Sequence, residues 1–200
     1  MPLQNRVNPY GEVVAAPGRG LMMGNRGILH DDERRIVRPF QVKRWIACVL
    51  EFRGRYRKVM SPHRYTELFF LDEAASFSAG HRPCAECRRA DYNRFLAVWE
   101  RWSGTPAGAD AMDARLHADR VERKRKRTYR DELAELPDGA YVALDGKAWL
   151  VWDSNLFAWS DSGYARRRPR SRGEIEVLTP RCAVAILASG YRPTIHPSAQ

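Results

Sequence analysis

The most definite chemistry in this 200-residue chain lies in a cysteine pair, Cys84-x-x-Cys87, inside GHRPCAECRRADYNRF. Pro83 predicts that the pair opens a helix over residues 84–102, because a missing N–H costs nothing in a first helical turn. Residues three apart on such a turn share a face, so both sulfurs could reach one ion. The helix N-terminus favours thiolate over thiol, and Arg82, Arg88 and Arg89 reinforce it. This setting suits a metal ligand or a nucleophile equally. Zinc needs three or four protein ligands, so the rest of the chain must supply the others.

A zinc deaminase joins P-C-x-x-C to a separate H-x-E. Here His117-Ala118-Asp119 follows the cysteines instead of preceding them, and its acid is one methylene short. A thioredoxin-type redox pair needs a strand running into the motif, and none is expected before Cys84. His30 with Asp31, Asp32 and Glu33 reads as a charged turn. His117 with Asp113 and Asp119 reads as surface ion pairing. Cys48 points with Ile46, Leu50 and Phe52 and reads first as a small buried residue.

The elements that position the pair follow from pattern. Residues 1–40, rich in Gly, Pro, Asn and Arg, predict an irregular arm with one or two short strands. WIACVLEF and YRKVM, separated by Arg53-Gly54-Arg55, predict a hairpin over 45–60. Asp72 is placed to cap a short helix over 73–79 that Gly80 ends. SGTPAGADAMD reads as a linker, and the segment to residue 136 as a charged helix with a dense cationic centre at 123–127. Beyond Pro137 the pattern turns to strands: AYVAL, AWLVW, NLFAW and EIEVL. GYARRRPRSRG reads as a basic loop, TPRCAVAILASG as a helix and the last residues as a tail. Helix–Gly–x–Arg–Pro occurs twice, at Gly80 and at Gly190, and raises the possibility of two related units.

ELFFLDEAASFSAGHRPCAECRR, residues 67–89, resembles the metal-binding domain of Ada-type DNA repair proteins, with His81 where that family has an aromatic residue. The resemblance extends over about residues 44–95. It implies a small zinc module lying on the DNA backbone, with Cys84 and Cys87 as the second half of a four-cysteine site. The family's first cysteine pair, one member of which accepts a methyl group from a phosphotriester, falls here within RGRYRKVMSPHRYT, which holds no cysteine. Methyl acceptance by that route is therefore not expected. Cys48, His63 and His81 could stand in as zinc ligands.

Composition bounds the partner. Thirty-four Lys and Arg against 24 Asp and Glu leave a formal charge of +10, which favours a polyanion through attraction and counterion release. Arg82, Arg88, Arg89, Lys124, Arg125, Lys126, Arg127, Arg166, Arg167 and Arg168 are the candidate nucleic-acid contacts. Aromatics interleave with basic residues at Arg44-Trp45, Arg55-Tyr56, Arg64-Tyr65, Arg101-Trp102 and Tyr129-Arg130, where they could stack on bases or equally lie half-buried beneath arginine planes. No run of about 18 apolar residues occurs and the N-terminus lacks a basic-then-apolar leader, so a cytoplasmic protein without a membrane partner is expected.

The expectation is an α+β chain: an arm (1–40), an Ada-like hairpin–helix module (41–103), a linker and charged helix (104–136), and a β-rich unit with a C-terminal helix and tail (137–200). Its expected role is nucleic-acid binding, most naturally to DNA. An enzyme working through a Cys84/Cys87 zinc or thiolate site, and a structural or regulatory protein-interaction module, are the alternatives.

Overall fold

The structure, a computed structural model, describes residues 1–56 and 58–199. It mixes helices with strands, as an α+β chain should. A first sheet gathers β1 (Gln4–Val7), β2 (Val13–Ala15), β3 (Met22–Asn25), β4 (Ile46–Cys48), β5 (Leu68–Phe70) and β6 (Arg82–Pro83) in the order β2-β1-β5-β3-β4-β6. Residues 1–40 are thus no arm. They supply half of the strands of this sheet, because alternating Asn5/Val7 and Met22/Gly24 turn buried faces inward. Among the described residues the expected hairpin over 45–60 does not form either. β4 stops at Cys48, and its neighbours are β3, antiparallel, and β6, parallel. Those long-range partners take the hydrogen bonds that a local return strand would have used.

Between β5 and β6 lies α1 (Glu73–Ser78), where expectation and structure agree. Asp72 caps it by accepting from the Ala75 N–H, and Gly80 ends it at φ +91°. Every residue of α1 is buried, so a helix of six residues stands by packing rather than by propensity. Its two carboxylates tie distant segments together. Asp72 accepts from Tyr164 Oη (2.6 Å) and the His196 N–H (2.9 Å). Glu73 accepts from Arg88, Tyr191 Oη and the Thr194 N–H.

Helices α2 (Arg89–Ser103) and α3 (Ala109–Arg120) follow. α2 begins five residues later than its proline suggests, and the cysteines precede it. α3 ends at Arg120. The cationic run after it is a tight hairpin, β7 (Val121–Glu122) with β8 (Arg125–Lys126), turned by Arg123 and Lys124 at positive φ. Like charges crowded at successive helical positions repel, and a two-residue turn splays them apart.

A second sheet joins β9 (Tyr129–Glu132), β10 (Tyr141–Leu144), β11 (Lys147–Trp152), β12 (Asn155–Ser160), β13 (Gly163–Pro169) and β14 (Glu174–Val177) in the order β13-β12-β11-β10-β14-β9. The segment read as a basic loop is largely the edge strand β13, paired with β12 from Ser160↔Gly163 to Asn155↔Pro169. Its arginines suit an edge, since charge there opposes pairing with other chains. Helix α4 (Arg181–Ala188) follows β14.

The expected boundary near residue 137 has no counterpart in the packing. Phe77, Phe95, Trp99 and Leu116 from the first part share one apolar cluster with Ile186, Leu187 and Tyr191 from the last. Leu71, Ala74 and Ala75 share another with Tyr141, Leu150, Phe157 and Tyr164 of the second sheet. The repeated Gly–x–Arg–Pro is a shared helix stop. The N–H groups of His81 and Tyr191 reach back to Ser76 and Ile186, and Gly80 and Gly190 both take positive φ. The meander of the second sheet does not repeat the interleaved order of the first.

Candidate metal centre and basic face

Three cysteines meet where β4 ends. The Sγ atoms of Cys48, Cys84 and Cys87 all lie within 4.8 Å of one another. β4 delivers Cys48. The Cys84 N–H donates to the Ala47 carbonyl (2.9 Å), extending the parallel β4–β6 pairing and fixing Cys84 beside Cys48. The chain then turns about the first sulfur, which accepts from the Glu86 N–H at 3.4 Å. That sulfur-centred turn is the physical reason the helix starts only at Arg89, after the pair instead of at it.

The cluster favours a first negative charge at Cys84. Hydrogen bonds from the Cys48 and Cys87 thiols, helped by the Cys87 and Glu86 N–H groups, depress its pKa to about 2 against the cost of burial. Cys48, donating to both other sulfurs and buried, is held far above the ordinary thiol range. Cys87 accepts from Cys48, which lowers it, but its own donation to Cys84 and its burial win and raise it. One charge is therefore shared by three sulfurs, and a bound cation is what would let the others ionise. A tetrahedral ion with bonds of about 2.3 Å sets its sulfurs about 3.8 Å apart, a spacing this cluster can meet. The three cysteines could hold a metal ion.

The two histidines expected as ligands are elsewhere. His63 is exposed, at φ +59°. His81 is buried, but its ring packs on Phe70 and Trp45 (centroids 4.6 and 5.4 Å) and its Nε2 faces Arg26 Nε at 3.3 Å. Among the described residues no histidine or carboxylate joins the sulfurs. His117, the deaminase candidate, lies against Phe40 and Trp45. Cys48, read first as a core residue and second as a stand-in ligand, is the one of the three substitutes that joins the pair, and its route there runs through strand pairing and not through spacing.

The arginines flanking the pair divide. Arg82 is buried in a two-pronged ion pair with Asp113 (Nε–Oδ1 2.9 Å, Nη2–Oδ2 2.7 Å). Arg88 is buried between Glu73 (2.6 Å) and Asp91 (2.7 Å). Neither can face a nucleic acid. Their expected role was wrong because sequence does not reveal that acids on α1 and α3 wait for them. Arg89 is exposed.

The remaining cations behave differently. Lys124, Arg125 and Arg127 are exposed on or beside the β7–β8 hairpin, and Lys126 is half-buried beneath it. Arg166 and Arg167 are exposed on β13, while Arg168 reaches Asp145 (3.3 Å). Tyr10 connects the two groups. It lines one cleft with Lys124 and Arg125, and a second with Lys147, Trp159 and Arg166. Hairpin and edge strand therefore border two clefts that share Tyr10, although about 40 residues separate them in sequence.

No family model, curated protein or solved structure matches this chain. Among the described residues, no helix is long and apolar enough to cross a membrane.

Proposed function

We propose that this chain is a nucleic-acid-binding protein whose Cys48, Cys84 and Cys87 hold zinc in a structural role. DNA is the polymer that the Ada resemblance implies. The observation that carries the reading is the pair of clefts that share Tyr10, with exposed cations of the β7–β8 hairpin on one side and of β13 on the other. A stripe of cations with Tyr10 and Trp159 half-exposed between them offers phosphate contacts and stacking surfaces together. The cysteines support a structural zinc because they join two pieces far apart in sequence: the end of β4 and the turn between β6 and α2. Such an ion would fix the first sheet against α2. It would not accept a methyl group by the Ada route, since the pair that does so in that family has no equivalent between 53 and 66.

Two measurements test the reading. Binding of a labelled DNA duplex, followed by fluorescence anisotropy, should weaken linearly in log affinity against log salt. Replacing Lys124, Arg125 and Arg127 by alanine should reduce that slope by about 2–3, at about 0.9 per lost phosphate contact. Absence of binding at low salt, or a flat salt response, rejects it. Elemental analysis should find roughly one zinc per chain, lost in Cys48→Ser and in Cys84→Ser and kept in His63→Ala. Zinc retained by Cys84→Ser would remove the metal part of the proposal.

A further inference from the structure

Beneath the β7–β8 hairpin lies a cavity of about 700 Å³, at the opposite end of β4 from the sulfurs. Six cations line it: Arg26, Arg38, Arg120, Lys124, Arg125 and Lys126. The one carboxylate in the lining, Glu12, is engaged by Asn8 Nδ2 at 2.8 Å.

The inner cations are unusual. Arg26 and Arg120 are almost completely buried, and both guanidinium groups lie on Trp45, 4.1 and 3.9 Å from its ring centre. Their hydrogen bonds go to main-chain carbonyls and neutral rings: Arg26 to the Gly11 carbonyl (2.9 Å) and His81 Nε2 (3.3 Å), Arg120 to the Gly80 carbonyl (2.7 Å), the Lys43 carbonyl and His117 Nδ1 (3.2 Å). Lys126 Nζ likewise donates to the Ser78 carbonyl (2.5 Å). No carboxylate forms an ion pair with any of the three among the described residues. Asp113, the nearest acid to act on Arg120, is already committed to Arg82.

Two donors are left over. Arg26 Nη2 and Arg120 Nε are buried without a partner. The first lies at the cavity wall, since a Cβ on the lining residue Gly11 would sit 3.8 Å from it. Burial and mutual repulsion act on the whole group, lowering Arg26 and Arg120 to about 9 and Lys126 to about 7. A folded chain rarely gathers buried positive charge with unused donors unless something negative completes it.

We infer that this cavity binds a phosphate monoester, seated on Arg26, Arg120 and Lys126. Guanidinium forks match phosphate oxygens in pairs, and a dianion balances the local excess of charge better than a single carboxylate does. The volume suits a ligand of nucleotide size. Phe40 and Tyr10 in the lining supply flat apolar walls for the attached nucleoside. Lys124 and Arg125 at the mouth allow the phosphate to be the 5′ end of a strand lying on the basic face. That form of the ligand rests on the nucleic-acid reading above; the phosphate site does not.

Calorimetric titration of the purified full chain tests it with five probes: inorganic phosphate, adenosine 5′-monophosphate, adenosine, and a short oligothymidylate with either a 5′-phosphate or a 5′-hydroxyl. The 5′-phosphate should tighten oligonucleotide binding about tenfold or more, or the mononucleotide should bind where adenosine does not. Lys126→Gln, which leaves the arginine stack on Trp45 in place, should abolish that preference, as should Arg26→Gln if it folds. A preference seen with the oligonucleotide identifies a strand end, and one seen with the mononucleotide alone identifies a small ligand. Equal binding of the phosphorylated and unphosphorylated forms in both pairs, nucleoside and oligonucleotide, overturns the site, even if the oligonucleotides bind through the hairpin. So does a phosphate preference that survives Lys126→Gln. Phosphate binding without any oligonucleotide binding would keep the site and reject the nucleic-acid reading.

Discussion

Removing the carboxylate of Asp113 should destabilise this fold more than any surface change. Asp113 stands on α3, and its two oxygens grip Arg82 of β6 at 2.9 and 2.7 Å, with the two side chains 4% and 2% exposed. At an effective dielectric of about 20, two charges about 4 Å apart attract by about 4 kcal/mol. Desolvation of each ion costs several kcal/mol, so the intact pair roughly breaks even with an apolar pair. Asp113→Ala removes the attraction and leaves the cost of a buried Arg82, on the same side of α3 as the equally unpaired Arg120. The expected loss is about 3–5 kcal/mol. For a chain of this size that corresponds to a fall in Tm of about 6–20 °C. Urea unfolding followed by far-UV circular dichroism reads the change as a lower midpoint at constant slope. The double variant Arg82→Leu/Asp113→Leu should recover most of the loss, because neither buried charge remains. A loss below about 1 kcal/mol for Asp113→Ala, or a double variant as costly as the sum of the singles, would refute the argument.

Two further outcomes follow from the same region. Burial first, then Arg26 and Arg120, hold the His81 pKa well below its ordinary value, so the folded chain keeps this ring neutral. The unfolded chain takes up a proton below about pH 6.5. Stability from this residue is therefore complete above that pH and falls by up to about 1.4 kcal/mol per unit below it. Stability measured from pH 7 to 5 should fall less steeply in His81→Gln than in the parent chain, and coincident slopes would contradict the assignment. Gly80 and Gly190 end their helices in the same way, but an added Cβ at Gly80 would sit 2.4 Å from Arg120 Cδ, while one at Gly190 meets nothing within 4 Å. Gly190→Ala should cost about 1 kcal/mol of backbone strain. Gly80→Ala should cost distinctly more, and should also weaken binding of phosphate probes by displacing Arg120. Equal costs at the two glycines would show that Arg120 yields freely.

The elements set by neighbouring residues were legible in the chain. Asp72, the short apolar run behind it and Gly80 specify α1 by local capping and a positive-φ stop. The alternation in AYVAL, AWLVW and NLFAW, broken by Asp145-Gly146, specifies the meander β10–β12, whose pairs are consecutive. Misreadings cluster where the deciding partner is far away. β4 pairs with β3 and β6 and not with its own return strand, so the hairpin over 45–60 fails. The run at 123–127 has helical composition, yet its hairpin places Lys126 against Ser78 and the cavity, a demand that no local pattern encodes.

The same division governs the site. Spacing alone made Cys84 and Cys87 a candidate pair for a metal or a nucleophile, and the two sulfurs do converge, in a sulfur-centred turn instead of a helix. Which third group joins them is a question of sheet order, and a parallel β4–β6 contact answers it with Cys48 instead of a histidine. Charge count fixed the overall basic character of the chain. The tertiary structure decided which cations are spent: Arg82 and Arg88 on buried acids, and Arg26, Arg120 and Lys126 on main-chain carbonyls with charge left over. A side chain's formal charge belongs to the sequence, but whether that charge is neutralised depends on what folding brings within a few ångströms of it.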